Sequence, residues 1–231
     1  MSEQERARKV LLVDDHPLVR QGMRDLLVTE DGWEVCGEAE SAPAAMEAAR
    51  RGQPDLAIVD LSLRQSSGVD LIRDLRELLP NLKVVVLSMH GEPFYVERAL
   101  RAGAQGYLVK GELSATVIEA IRAVLAGGTF VSPKVAGRMV ARMTGQEPAA
   151  VASLMDRLTE REAEIFELFG QGLSMKEAAA RLSLSVKTID AHRENMKGKL
   201  GLDTTTELLA LAITTAQVGL KNFMAPSRWF L

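Results

Sequence analysis

Apolar residues in the first half of the chain fall into five short runs, at 9–13, 33–38, 56–59, 82–87 and 106–109. The runs are rich in branched and aromatic residues, and most are continuous rather than alternating. That is the pattern of strands buried on both faces. Between them apolar residues recur at helical spacing, as in Leu18, Met23, Leu26 and Leu27, and again in Leu71, Ile72, Leu75, Leu78 and Leu79. Strands alternating with helices predict an α/β domain whose five-stranded parallel sheet is wrapped by helices. A further helix over 114–126 turns Val117, Ile118, Ile121, Val124 and Leu125 to one side and stops at Gly127 and Gly128. A short extended stretch at 129–133, a helix over 134–143 and the turn-forming run Thr-Gly-Gln-Glu-Pro-Ala-Ala from Thr144 then read as a passage to a second unit.

The second unit is all helical. Thr159 with Glu162, Ser174 with Glu177, and Thr204 with Glu207 fit the S/T-x-x-E capping box, and Ser185 supplies a fourth helix start. The first helix carries Ile165, Phe166, Leu168 and Phe169 and ends near Gly170 and Gly172. Only Ser183 and Leu184 separate the second helix, 174–182, from the third, 186–200, and so tight a turn predicts a helix-turn-helix. On the third helix Ile189, Met196 and Leu200 mark the buried side, opposite Lys187, Asp190, Ala191, Glu194 and Lys197. The fourth helix, 204–216, carries more apolar surface than three small helices need; a dimer contact and internal packing are both open uses of it.

Composition bounds this picture without deciding it. At 231 residues and 47% hydrophobic content the chain can bury one or two real cores. Cys36 is the single cysteine, so no internal disulfide is possible, and its place in an apolar run predicts a buried, inert thiol in a reducing compartment. A charged amino terminus and the lack of any run of transmembrane length predict a cytoplasmic protein with no membrane partner. A net charge of −3 makes no global case for nucleic acid. Residues 158–202 hold seven acids and seven bases, but four of those bases lie between Lys187 and Lys199 against two acids, so the positive potential is local to the third helix.

The strand ends carry the chemistry. Asp14 and Asp15, Asp60, Ser88 and Lys110 each close an apolar run. In a parallel sheet with right-handed crossovers those ends share one edge, where ligands bind. Any one of these residues is also an ordinary turn former; the ordered set is what points to function. Clustered carboxylates repel, and a hard divalent cation such as Mg2+ relieves them. Asp60 could then attack phosphorus and hold an acyl phosphate, with Ser88 donating to a phosphate oxygen and Lys110 balancing its charge. Asp-Asp-His-Pro follows the first run, with neither GxGxxG nor GxxxxGK[ST], which argues against the common nucleotide-binding loops.

Over residues 8–127 this set resembles the receiver domains of bacterial two-component response regulators, a flavodoxin-like doubly wound fold. The resemblance implies Asp60 as phospho-acceptor; Asp14, Asp15, Asp60 and the Ser62 backbone carbonyl as Mg2+ ligands; Lys110 as the phosphate contact; and Ser88 with Tyr107 as a switch pair whose ring moves inward. Gly111 follows Lys110 where many receivers have proline, so a cis peptide is not expected there. Leu-Thr-Glu-Arg-Glu from Leu158, Gln-Gly-Leu-Ser from Gln171, Ser-Val-Lys-Thr-Ile-Asp-Ala-His-Arg from Ser185 and Lys-Leu-Gly-Leu from Lys199 resemble the LuxR-type helix-turn-helix. Together they resemble NarL/FixJ-type regulators: receiver 8–127, linker 128–152, a four-helix DNA-binding domain 153–218 and a tail 219–231. By that resemblance Lys187 and Thr188 lie near phosphates, Asp190, Ala191 and Glu194 face base edges, and Lys197 shares the DNA surface. The two acids either accept from cytosine or pair with neighbouring Arg and Lys.

The implied function is a transcription regulator binding double-stranded promoter DNA, switched by Mg2+-dependent phosphorylation of Asp60 from a histidine kinase or histidine phosphotransfer protein, and a homodimer when phosphorylated. It would be no enzyme beyond its own phosphorylation and dephosphorylation. A phosphatase turning over the same aspartyl phosphate is the alternative, against which no separate acid or base stands out near Asp60. A DNA binder with an unphosphorylated receiver is another.

Overall fold

The computed structural model describes residues 7–63, 66–91, 93–112, 114–144, 154–155, 157–182 and 184–223, with side chains to 216. The chain divides after Met139 into two compact units.

In the first unit every strand is parallel. The strands are β1 (Arg8–Val13), β2 (Trp33–Ala39), β3 (Leu56–Val59), β4 (Lys83–Ser88), β5 (Gly106–Val109) and β6 (Phe130–Val131), in the order β2-β1-β3-β4-β5-β6. Helices α1 (Pro17–Val28), α2 (Ala42–Gly52), α3 (Gly68–Leu78), α4 (Pro93–Arg101) and α5 (Ser114–Leu125) connect them, and α6 (Pro133–Met143) follows β6. All four residues of β3 are buried, as its unbroken Leu-Ala-Ile-Val run requires of a central strand. Val10, Leu12, Ile58, Val85 and Leu108 pack with Leu27 of α1 and Ile121 and Val124 of α5 into a hydrophobic core. Because β1 neighbours both β2 and β3, the strand order reverses there, and the crevice beyond the carboxyl ends of β1 and β3 is the natural ligand position.

Among the described residues the sheet has six strands, where the apolar pattern predicts five. The sixth lies in the stretch assigned to the linker and is only two residues long, pairing Gly106 with Phe130 and Tyr107 with Val131. Two residues carry no readable alternation, which is why only an extended stretch was legible there. Cys36 is half-buried, and burial pushes its thiol above the ordinary range.

The second unit holds α7 (Glu160–Gly170), α8 (Met175–Arg181), α9 (Val186–Leu200) and α10 (Thr205–Phe223). Reciprocal capping boxes start α7 at Thr159 and α8 at Ser174, and Ser185 Oγ accepts from the Thr188 N–H to start α9. Thr204 and Glu207 make the same reciprocal bonds ahead of α10. Ile189 and Met196 are fully buried, as the helical spacing predicts, whereas Leu200, next to the Gly201 cap at the end of α9, is only partly buried. Leu208 and Ala212 of α10 are also buried, whereas Ile213 is 41% exposed, so α10 both packs inward and keeps an apolar outer edge. It runs to Phe223, beyond the expected end at 216. A Cβ on Gly170 would stand 2.8 Å from the Ala212 carbonyl oxygen, so glycine lets the end of α7 approach α10. Among the described residues no helix is long and apolar enough to cross a membrane. The tail from 224 lies outside the described residues.

Candidate functional site

Asp14 and Asp15 follow β1, Asp60 follows β3, Ser88 ends β4 and Lys110 follows β5, so the parallel topology brings residues far apart in sequence to one sheet edge. Asp14, Asp15 and Asp60 are buried. Lys110 Nζ stands 2.7 Å from Asp14 Oδ2 and 2.7 Å from Asp60 Oδ2, with its own side chain 8% exposed. The Ser62 N–H donates to Asp60 Oδ1 at 3.1 Å. The His16 N–H donates to Asp14 Oδ1 at 2.8 Å, and His16 Nδ1 lies 2.7 Å from Asp15 Oδ1. One ligand atom from each of Asp14, Asp15, His16 and Asp60 falls within 4.8 Å of all the others.

Among the described residues three carboxylates meet one ammonium here, while the Arg20 guanidinium reaches the Asp14 carbonyl and pairs with Glu38, so the carboxylates of the pocket are left in excess, as a divalent cation requires. Burial pushes the Asp60 carboxyl above the ordinary carboxylate range, reinforced by Asp14 and opposed by Lys110. Burial alone would lower the Lys110 ammonium; Asp60 and Asp14 outweigh it and hold the proton more tightly than in water. An oxygen-rich, anionic, converging donor set of this kind suits a hard divalent ion.

Ser88 and Tyr107 are both fully buried, and the main chain of His90 joins them. The His90 N–H donates to Ser88 Oγ at 3.2 Å, and the Tyr107 hydroxyl donates to the His90 carbonyl at 2.8 Å. The Tyr107 ring is therefore already turned inward. The His90 ring stacks on Tyr95 with centroids 4.4 Å apart. No cis peptide bond occurs among the described residues, and Gly111 sits at φ +93°.

Two residues that shape this site carry no sequence signal. His90 acts chiefly through its backbone. Gly68 opens α3, and a Cβ there would lie 2.4 Å from the Asp60 carbonyl oxygen and 2.5 Å from Leu61 Cα, so glycine lets α3 start against the backbone that carries Asp60.

In the second unit, Lys187, Ala191 and Glu194 are exposed on α9, and Thr188, Asp190 and Lys197 are partly so. Asp190 and Glu194 are both engaged: Arg193 Nη2 lies 2.7 Å from Asp190 Oδ1 and 2.9 Å from Glu194 Oε1, and Lys197 Nζ lies 2.9 Å from Glu194 Oε2. Lys199 reaches Glu162 of α7 at 2.6 Å. Lys187 makes no ion pair among the described residues.

Residues 10–122 match the response regulator receiver domain, and residues 156–212 match the bacterial regulatory proteins of the luxR family. Over 213 residues the chain is 36% identical to the transcriptional regulatory protein MctR of Rhizobium johnstonii, covering 92% of this chain and 96% of MctR. The chain is a LuxR-type response regulator. Response regulator GacA of Pseudomonas syringae pv. syringae is 33% identical over 210 residues, covering 91% of this chain and 97% of GacA. Among solved structures, RcsB from Salmonella enterica serovar Typhimurium, bound to a promoter in the presence of the phosphomimetic BeF3−, matches with a TM-score of 0.58 at 26% identity, covering 90% of this chain and 99% of that one. A LuxR-family two-component response regulator from Aurantimonas sp. SI85-9A1 matches with a TM-score of 0.57 at 33% identity, covering 59% of this chain and 97% of that one. This response regulator thus joins a receiver to a DNA-binding helix-turn-helix on one chain.

Proposed function

We propose that phosphorylation of Asp60 controls how this regulator binds double-stranded promoter DNA. One observation carries the reading: a buried carboxylate, Asp60, shares an ammonium with a second acid, Asp14, on the same chain as a LuxR-type helix-turn-helix. An Asp60 carboxylate oxygen attacks the phosphorus of a phosphohistidine on a partner kinase or phosphotransfer protein. The new oxygen–phosphorus bond forms as the phosphorus–nitrogen bond breaks, and the imidazole leaves. Asp14, Asp15, Asp60 and the Ser62 carbonyl would hold Mg2+, which supplies positive charge to the carboxylates and phosphoryl oxygens. Lys110 contributes a second, fixed positive charge, and Ser88 a hydroxyl donor.

The inward Tyr107, fixed on His90, reports Ser88 to the surface around α4. Phosphorylation stabilises that arrangement and favours a homodimer. The setting is the cytoplasm. On α9, Lys187, Thr188 and Lys197 serve phosphates, while Asp190, Ala191 and Glu194 face the major groove. We take residues 153–218 as the DNA-binding domain and extend the receiver past 127, because β6 hydrogen-bonds to β5.

The test is fluorescence anisotropy of a labelled duplex, selected by the wild type from a random pool, with and without acetyl phosphate and Mg2+. The wild type should bind more tightly after phosphodonor treatment and Asp60→Asn should not respond. Identical affinities for both proteins under both conditions would sink the coupling.

A further inference from the structure

Taking α9 as the helix that meets DNA, as proposed above, we infer that Glu194 is a selectivity residue that disfavours phosphate-only binding and accepts from a cytosine amine. Both carboxylate oxygens of Glu194 are engaged, one by Arg193 and one by Lys197, although the side chain is 52% exposed. Arg193 also holds Asp190, and its Nη1 donates to Met175 Sδ at 3.3 Å, so its guanidinium is drawn back toward α8 and is only 19% exposed. Lys197 is 17% exposed, and Lys199 is taken by the buried Glu162. Among the described residues four bases of α9 therefore face three carboxylates, and Lys187 is left as the uncompensated cation of the helix.

Binding to any duplex is driven by cations that displace counterions from phosphates. A helix that neutralises its own cations has little of that drive. Glu194 is the exposed member of these pairs, so whether its partners stay on it or turn to a phosphate, its charge remains at the DNA surface and repels the backbone at every sequence. That repulsion is offset only where the groove presents a donor, and the exocyclic N4 amine of cytosine is the base-edge group that suits a carboxylate. The carboxylate that lowers the positive charge of the helix is thus its source of discrimination.

Glu194→Gln in the full-length chain separates this role from simple positioning, because it keeps the size and removes the charge. Binding to an unrelated duplex should tighten, and the salt slope should steepen by about 0.9, so that between about 50 and 200 mM salt the variant loses about 3.5-fold more affinity than the wild type. On the duplex selected by the wild type, replacing each cytosine–guanine pair in turn should reveal one position at which the wild type discriminates and the variant does not. Uniformly weaker binding to both duplexes, with an unchanged salt slope and unchanged circular dichroism, would show that Glu194 only positions Arg193 and Lys197 and would overturn the inference. A wild type that binds neither duplex at low salt would overturn the DNA-binding reading itself, and this inference with it.

Discussion

Lys110→Ala removes the one ammonium among three buried carboxylates, and its cost can be bounded from the geometry. Lys110 Nζ is 2.7 Å from both Asp14 and Asp60, and the three side chains are 8%, 7% and 1% exposed. Deleting one partner of a buried pair costs about 3–5 kcal/mol, because the charge left behind has lost its compensation. Asp60 can limit this by taking up a proton. At pH 7 that costs about 4 kcal/mol for a carboxyl of ordinary pKa, and less for one that burial has already pushed up. A loss of about 3–4 kcal/mol corresponds to a melting temperature lower by about 10–15 °C for a unit of this size. The chain has two tryptophans; in a Trp229→Phe background Trp33 of β2 reports receiver unfolding alone. Melting is followed by its fluorescence at pH 7 in chelator, then in millimolar Mg2+, which should recover much of the loss in the variant because a divalent ion can replace the missing charge. A variant melting within about 2 °C of wild type in chelator, a cost below 1 kcal/mol, would refute the idea that Lys110 is the pocket's structural counter-ion.

Gly68→Ala forces a methyl against the Asp60–Leu61 backbone, so phosphorylation rate should fall well beyond what the accompanying loss of about 1–3 kcal/mol in stability explains; equal rates in the two proteins by intact-mass time course would contradict the packing argument. Lys187→Ala should weaken binding to all duplexes alike and flatten the salt slope by about one, whereas a loss confined to one sequence would reassign Lys187 to base reading. Burial works to raise the Glu162 carboxyl, but hydrogen bonds from Lys199 and Thr159 outweigh it and hold the group below the ordinary range. A depressed folded pKa means stability that is present above the unfolded value, near 4.3, and lost as pH falls through the folded one. Helical melting temperature should therefore drop as pH is lowered from about 5 to 3, less steeply in Glu162→Gln; parallel curves for the two proteins would remove the Lys199–Glu162 link from the account.

Asp14, Asp60, Ser88 and Lys110 were legible as a set because each closes a continuous apolar run, and a buried parallel strand leaves that run intact in the sequence. The capped starts at Thr159, Ser174, Ser185 and Thr204 were legible because capping depends on side chains three residues apart. What the sequence hides is whatever the main chain does. The His90 amide and carbonyl join Ser88 to Tyr107, and a backbone group looks the same in any residue. Gly68 is needed for an absent atom, in a chain with eighteen glycines. β6 is too short to carry a period, and the last turns of α10 run past the apolar residues that marked the helix. Whether Asp190 and Glu194 pair with cations on their own helix depended on rotamers rather than spacing; the structure pairs both.

Phosphoryl transfer to Asp60 is tested most directly by intact mass after incubation with acetyl phosphate and Mg2+, with chelator and Asp60→Asn alongside. The mass of one phosphoryl group should appear on the wild type with Mg2+, and on neither control. Phosphate on Asp60→Asn to the same extent, or none on the wild type under any metal and donor condition, would contradict the claim that this pocket is the regulator's input.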